Sequence, residues 1–233
     1  KRHSRKNFNI PIFSSTVLKN IFNISAFKVL FSLNRDIFIR TMCLTMTLAS
    51  FVVLGTRFGT EVLAANAVLM NLQNLTSYGL DGFAQAAEVL VGKEIGRKSK
   101  KNLRAAVIIS SKWAIITAVA MTLFYYIFGE MIINLLTNIE TIRNISSNYL
   151  TWIIILPLLS IWSFQLDGIF IGATAGSSMR NGMIISVISY ILAIFILIPL
   201  WGNHGLWAAY SIFMIMRAIT LFYKYPEIEK RAT

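Results

Sequence analysis

Residues 181–200 read NGMIISVISYILAIFILIPL, a run without Asp, Glu, Lys, Arg or His. A helix rises about 1.5 Å per residue and the hydrocarbon core of a bilayer is about 30 Å thick, so a run of this length suffices to cross it. Unbroken apolarity also argues against a membrane strand, which would alternate apolar and polar residues over about ten positions. Working outward, further segments of similar length and character lie at about 31–54, 62–91, 105–128, 148–173 and 205–223. The pattern predicts six membrane-spanning helices and an all-α membrane protein.

Composition agrees. Of 233 residues, 56% are hydrophobic and 14% charged, against roughly 25% charged in an average soluble domain. The net charge of +12 suits either nucleic acid or anionic lipid, and the placement of the charges decides between them. Lys1, Arg2, Arg5, Lys6, Lys19 and Lys28 precede the first span. Lys93, Arg97, Lys98, Lys100, Lys101 and Arg104 lie between the second and third, Arg180 between the fourth and fifth, and Lys224, Lys230 and Arg231 after the sixth. The opposite connections hold only Arg57 and Arg143. By the positive-inside rule both ends are expected in the cytoplasm, and Lys112 snorkels from the third span. No nucleic-acid partner is expected.

The domain reading is a basic cytoplasmic linker over 1–30, a six-helix lobe over 31–225 and a short cytoplasmic tail over 226–233. Val17, Leu18, Ile21 and Phe22 have helical spacing, which predicts a surface-lying amphipathic helix in the linker. The 129–147 stretch reads as the longest outer connection, with 131–136 in the interface. Gly79 and Gly82 mark a place to bend in the second span, and Pro157 predicts a kink in the fourth. Trp113, Trp152, Trp201 and Trp207 fall near span ends and read as interfacial belt residues. Cys43, the single cysteine, reads as a buried apolar residue. No disulfide, zinc spacing or catalytic motif is present, so neither an enzyme nor a metal site is expected.

Charges inside spans carry the functional argument. A charge at the centre of a lone helix costs about 2.5–3.5 kcal/mol on insertion scales, so such residues turn away from lipid. Arg35, Asp36 and Arg40 lie in the first span, Asp81 and Glu88 in the second, Asp167 in the fourth and Arg217 in the sixth. Asn66, Gln73, Asp81 and Glu88 follow one another at intervals of seven or eight, on one helical face, with Asn74, Ser77 and Gln85 beside it. Asn66, Gln73, Asp81, Glu88 and Asp167 are the candidates for a substrate or ion pathway. Arg35, Asp36, Arg40 and Arg217 are candidates for structural ion pairs, with Asp36 and Arg40 spaced to pair with each other. Four acids against three bases leave one acid as a candidate protonatable site. The segment from Tyr78 to Phe83 also echoes that from Phe164 to Ile169, a short internal similarity of a kind known in transporters.

These residues carry a resemblance. The stretches Asn34–Thr41, Leu63–Leu69, Leu80–Ala84 with Ala87 and Glu88, Leu166–Thr174 with Met179, Arg180 and Asn181, and Gly202–Trp207 resemble the DNA-damage-inducible protein F branch of the multidrug and toxic compound extrusion (MATE) family. The resemblance implies the second of two six-helix lobes of a twelve-helix transporter around a central cavity. It further implies export of organic, often cationic, compounds by H+ or Na+ antiport in the cell inner membrane, without another cofactor. The family's usual proton-coupling carboxylate lies on the first helix of the first lobe, so Asp81, Glu88 and Asp167 do not inherit that role. The expected partners are a small organic substrate, membrane lipid and the first lobe, and this half alone is not expected to transport. Alternatives are a flippase for lipid-linked precursors of the same superfamily, which would favour a basic cavity, and a non-transporting membrane fragment.

Overall fold

The computed structural model describes residues 24–232, with side chains from residue 31 onward. The amphipathic helix expected around Val17–Phe22 lies outside these residues. Six helices follow one another: α1 (Ile24–Gly55), α2 (Thr60–Gly96), α3 (Lys100–Leu136), α4 (Glu140–Gly172), α5 (Gly176–Trp201) and α6 (Asn203–Lys230). A single 3-10 turn (Thr56–Phe58) joins α1 to α2.

The helices overrun the apolar segments, and the connections are correspondingly short. The outer connection expected over 129–147 is only residues 137–139, because α3 continues to Leu136. Gly129 is where α3 meets α4: a Cβ there would stand 2.9 Å from Leu150 Cδ1. Both α2, through Gly79 and Gly82, and α4, through Pro157, continue as unbroken helices. Residues 226–230 extend α6, and Arg231 donates to the Ala173 carbonyl at 2.8 Å, fastening that end to the α4–α5 turn.

Five of these helices are long and apolar enough to cross a membrane. The remaining one, α2, carries too many polar side chains to qualify by composition, and packing explains how it is accommodated. It lies most extensively along α4. Gly168 and Gly172, one turn apart on α4, meet the backbone of Ala84 and Glu88 on α2 with no side chain between them. Small residues at four-residue spacing bring membrane helices into this kind of backbone contact. The most apolar windows of α4 and α6 are 67% and 61% buried, against 11% for α1 and 22% each for α3 and α5, so α4 and α6 form the central pair. The helix α1 docks mainly on α5 and touches α2 and α6 sparsely.

The largest core cluster sits towards the end of the bundle where α1 joins α2 and α5 joins α6, around Trp207, Phe51, Tyr210 and Phe213. Trp207 is completely buried and meets Phe51 edge-on at 4.9 Å. It is therefore a core residue and not a belt residue. Leu197 sits over Gly205, so α5 and α6 close tightly after Gly202, and the indole is drawn inward. Trp113 and Trp201 are exposed, and Trp152 donates to His204 Nδ1 at 3.1 Å. Cys43 is half-buried against the core.

Candidate functional site

The polar face read on α2 divides into two parts. Seven residues advance a helix by two turns less about 20°, but the eight-residue step from Gln73 to Asp81 rotates the face by about 80°. Asn66 and Gln73 consequently point into the lobe, whereas Asp81 is exposed and Glu88 half-buried on its open side. Ser77 is half-buried and Asn74 and Gln85 are exposed along the same flank.

Asn66 is 3% exposed and fully engaged. Its amide exchanges two hydrogen bonds with that of Asn203, at 2.7 and 2.9 Å, and its Oδ1 also accepts from Trp207 Nε1 at 2.9 Å. This network ties α2 to α6 at the end of the bundle that is packed by aromatics. Asn66→Ala would leave the indole and the Asn203 amide without partners in a dry site. It should lower the stability of the purified protein by about 1–3 kcal/mol, read as a drop in thermal unfolding midpoint. An unchanged midpoint would contradict the network's structural role.

Asp167 is 6% exposed and takes two arginines. Arg40 of α1 and Arg217 of α6 both donate to its Oδ2. Arg217 is 3% exposed, lies 5.6 Å from the ring centroids of both Phe164 and Phe213 and donates a further hydrogen bond to the Met214 sulfur at 3.2 Å. One carboxylate thus joins three helices. The expected Asp36–Arg40 pair does not form. Asp36 accepts from Arg180 at 2.6 Å and from Arg35 at 3.1 Å. Arg180, read from sequence as a loop anchor, is in the second turn of α5 and completes a second two-arginine clamp, between α1 and α5. Spacing showed that Arg40 could reach Asp36, but not that the buried carboxylate of Asp167 on α4 would be its partner instead.

The charge balance changes with these partners. Four arginines serve two aspartates, while Asp81 and Glu88 make no hydrogen bond or ion pair among the described residues. Two acids, and not one, therefore lack a partner. The echoing segments also differ in role: Gly168 is pressed on the α2 backbone, whereas nothing lies within 4 Å of a Cβ at Gly82. The arrangement offers an open helix flank with two unpaired carboxylates and several amides, suited to a cation or a hydrogen-bonding solute, on a lobe whose two buried aspartates are each paired internally.

Comparison with known proteins agrees with this architecture. The MatE family model matches residues 37–198. The DNA damage-inducible protein F of Escherichia coli (strain K12) is 37% identical over 217 residues, which are 93% of this chain and 47% of that protein. An inward-facing structure of a multidrug resistance MATE family transporter of the MOP superfamily superposes with a TM-score of 0.68 at 19% identity, covering 94% of this chain and 49% of that one. At that identity the likeness speaks to the fold alone. The chain spans about half the length of the relatives it matches.

Proposed function

The chain belongs to the MATE family, and from that premise we propose that it forms one half of a cation-coupled exporter of toxic organic compounds. The observation that carries this reading is the pair of unpartnered carboxylates, Asp81 and Glu88, on the open flank of α2. A membrane helix does not turn unpaired acids to hydrocarbon, so this flank faces a wet space, which a second six-helix lobe would enclose. In that cavity the carboxylates meet a cationic substrate, a coupling H+ or Na+, or each in turn as the two lobes rock. The basic ends of the helices then lie in the cytoplasm, with the lobe in the inner membrane. A flippase for lipid-linked anions would need a strongly cationic wall, and α2 presents acids instead.

The test replaces the charges and keeps the shapes. Because Asp81 and Glu88 lie off the packed interior, Asp81→Asn and Glu88→Gln should leave yield and thermal midpoint unchanged. Each, made in the complete two-lobe exporter, should slow efflux of a fluorescent organic cation from cells by about ten-fold or more, a loss of about 1.4 kcal/mol. Full efflux in the double variant would sink the assignment.

A further inference from the structure

On the side of the bundle bounded by α3, a lateral groove runs between the two central helices. It has a volume of about 740 Å³ and is lined by apolar side chains, among them Leu158, Trp162 and Leu166 of α4 and Ala218, Ile219 and Phe222 of α6. Trp162, Leu166 and Phe222 also line a second hollow of about 310 Å³, so the two spaces adjoin. The second hollow leads to the basic end of the bundle and is lined there by Arg104, Ser111, Tyr225 and Glu229. A largely apolar groove thereby adjoins a hollow that has charged residues at its end.

Two features of the mouth define what fits. The first is an unsatisfied hydroxyl: Ser111 is 8% exposed, and its Oγ has no hydrogen-bond partner. Buried polar groups are rarely left so, and Ser111 is among the residues around the hollow. The second is charge. Arg104 and Lys100 hold Glu229 at 2.6 and 3.4 Å, and Lys101 lies beside them in the first turn of α3. Three cations against one carboxylate leave the rim positive. Ser111 lies seven residues beyond Arg104, about 10 Å further into the membrane along α3. In order of depth the groove therefore offers cationic charge, then a hydrogen-bond donor, then apolar surface.

We infer that this groove is a binding site for an anionic phospholipid from the surrounding bilayer. The phosphate rests at the Lys100–Arg104 rim, an ester carbonyl accepts from Ser111, and an acyl chain lies between α4 and α6. Basic hollows between membrane helices at the cytoplasmic side are known to take such headgroups. The volume is that of a ligand pocket, roughly 300–1,000 Å³. The inference needs only that the bundle spans a membrane, and it stands apart from any transport activity.

The test follows lipid and not transport. The chain is purified in a mild detergent and offered phosphatidylglycerol or phosphatidylcholine, and retained lipid is counted by native mass spectrometry. The expected result is one phosphatidylglycerol retained with about ten-fold preference over phosphatidylcholine. Ala218→Trp, which fills the groove, should abolish that retention. Ser111→Ala should weaken it several-fold without lowering the melting temperature of the lipid-free protein, since the hydroxyl has no partner within the chain. Equal retention of both lipids, or retention indifferent to Ala218→Trp, overturns the proposal. Should that variant fail to fold, Trp162 fluorescence decides in a Trp113→Phe/Trp152→Phe/Trp201→Phe protein, whose other tryptophan, Trp207, is completely buried. Brominated-chain phosphatidylglycerol must quench it at a mole fraction at which brominated phosphatidylcholine does not, and equal quenching by the two overturns the site.

Discussion

Gly168→Ala is expected to prevent the lobe from assembling. A methyl group at this position would be driven into the Ala84 carbonyl and stand 2.8 Å from Ala84 Cα, all of it backbone. Overpacking a core costs about 1–3 kcal/mol when side chains can shift. Here the obstacle is the main chain of α2, so relief requires α2 and α4 to separate along their whole crossing, and the loss should lie at or above the top of that range. Gly172 makes the same kind of contact one turn on, with Glu88 Cα 3.0 Å from where its Cβ would be, so the helices cannot escape by sliding. Gly82→Ala is the matched control: it meets nothing within 4 Å and should gain about 0.5–1 kcal/mol from helix propensity. The measurement is the yield of monodisperse protein from membranes together with its melting temperature. Equal behaviour of the two variants would refute the close crossing.

Asp167→Ala carries the next largest effect. It leaves Arg40 and Arg217 facing each other in a dry site, with the Nε of each already lacking a partner. Breaking a buried ion pair by removing one member costs about 3–5 kcal/mol. The loss should be recovered in large part by replacing the trio with apolar residues of similar size, as in Asp167→Leu with Arg40→Met and Arg217→Met, since well-packed apolar substitutes of buried ion clusters are often neutral. Thermal unfolding of the single and triple variants makes the comparison. An Asp167→Ala protein that melts normally yet fails to export would instead place Asp167 on the transport path.

Much of this architecture can be read in the residues. Runs of apolar side chains mark six helices, and the intramembrane charges identify Arg35, Asp36, Arg40, Asp167 and Arg217 as residues in need of partners. Which partners they choose is a property of helix crossing. Arg40 is four residues from Asp36, yet it serves Asp167, 127 residues away, because glycines on α4 set its depth against α2. Trp207 resembles a belt residue by position alone, and its burial depends on an amide at Asn66 in another helix. The rotation of Asp81 and Glu88 out of the core was available in the spacing, since one interval of eight among sevens turns the face. The Ser111 hollow had no sequence signal, because a serine in an apolar helix ordinarily bonds its own preceding turn.

The fastening of the last helix has a consequence for biosynthesis. Glu229 clamps Lys100 and Arg104, and it follows Arg104 by 125 residues. At about 5–20 residues per second of translation, roughly 6–25 s pass between the emergence of the cations and that of their carboxylate. During that interval they are available to the anionic headgroups that fix the direction in which a newly inserted hairpin lies. On the proposed orientation, the same side chains would first orient the nascent chain at the translocon and only afterwards serve as the latch that closes the finished bundle.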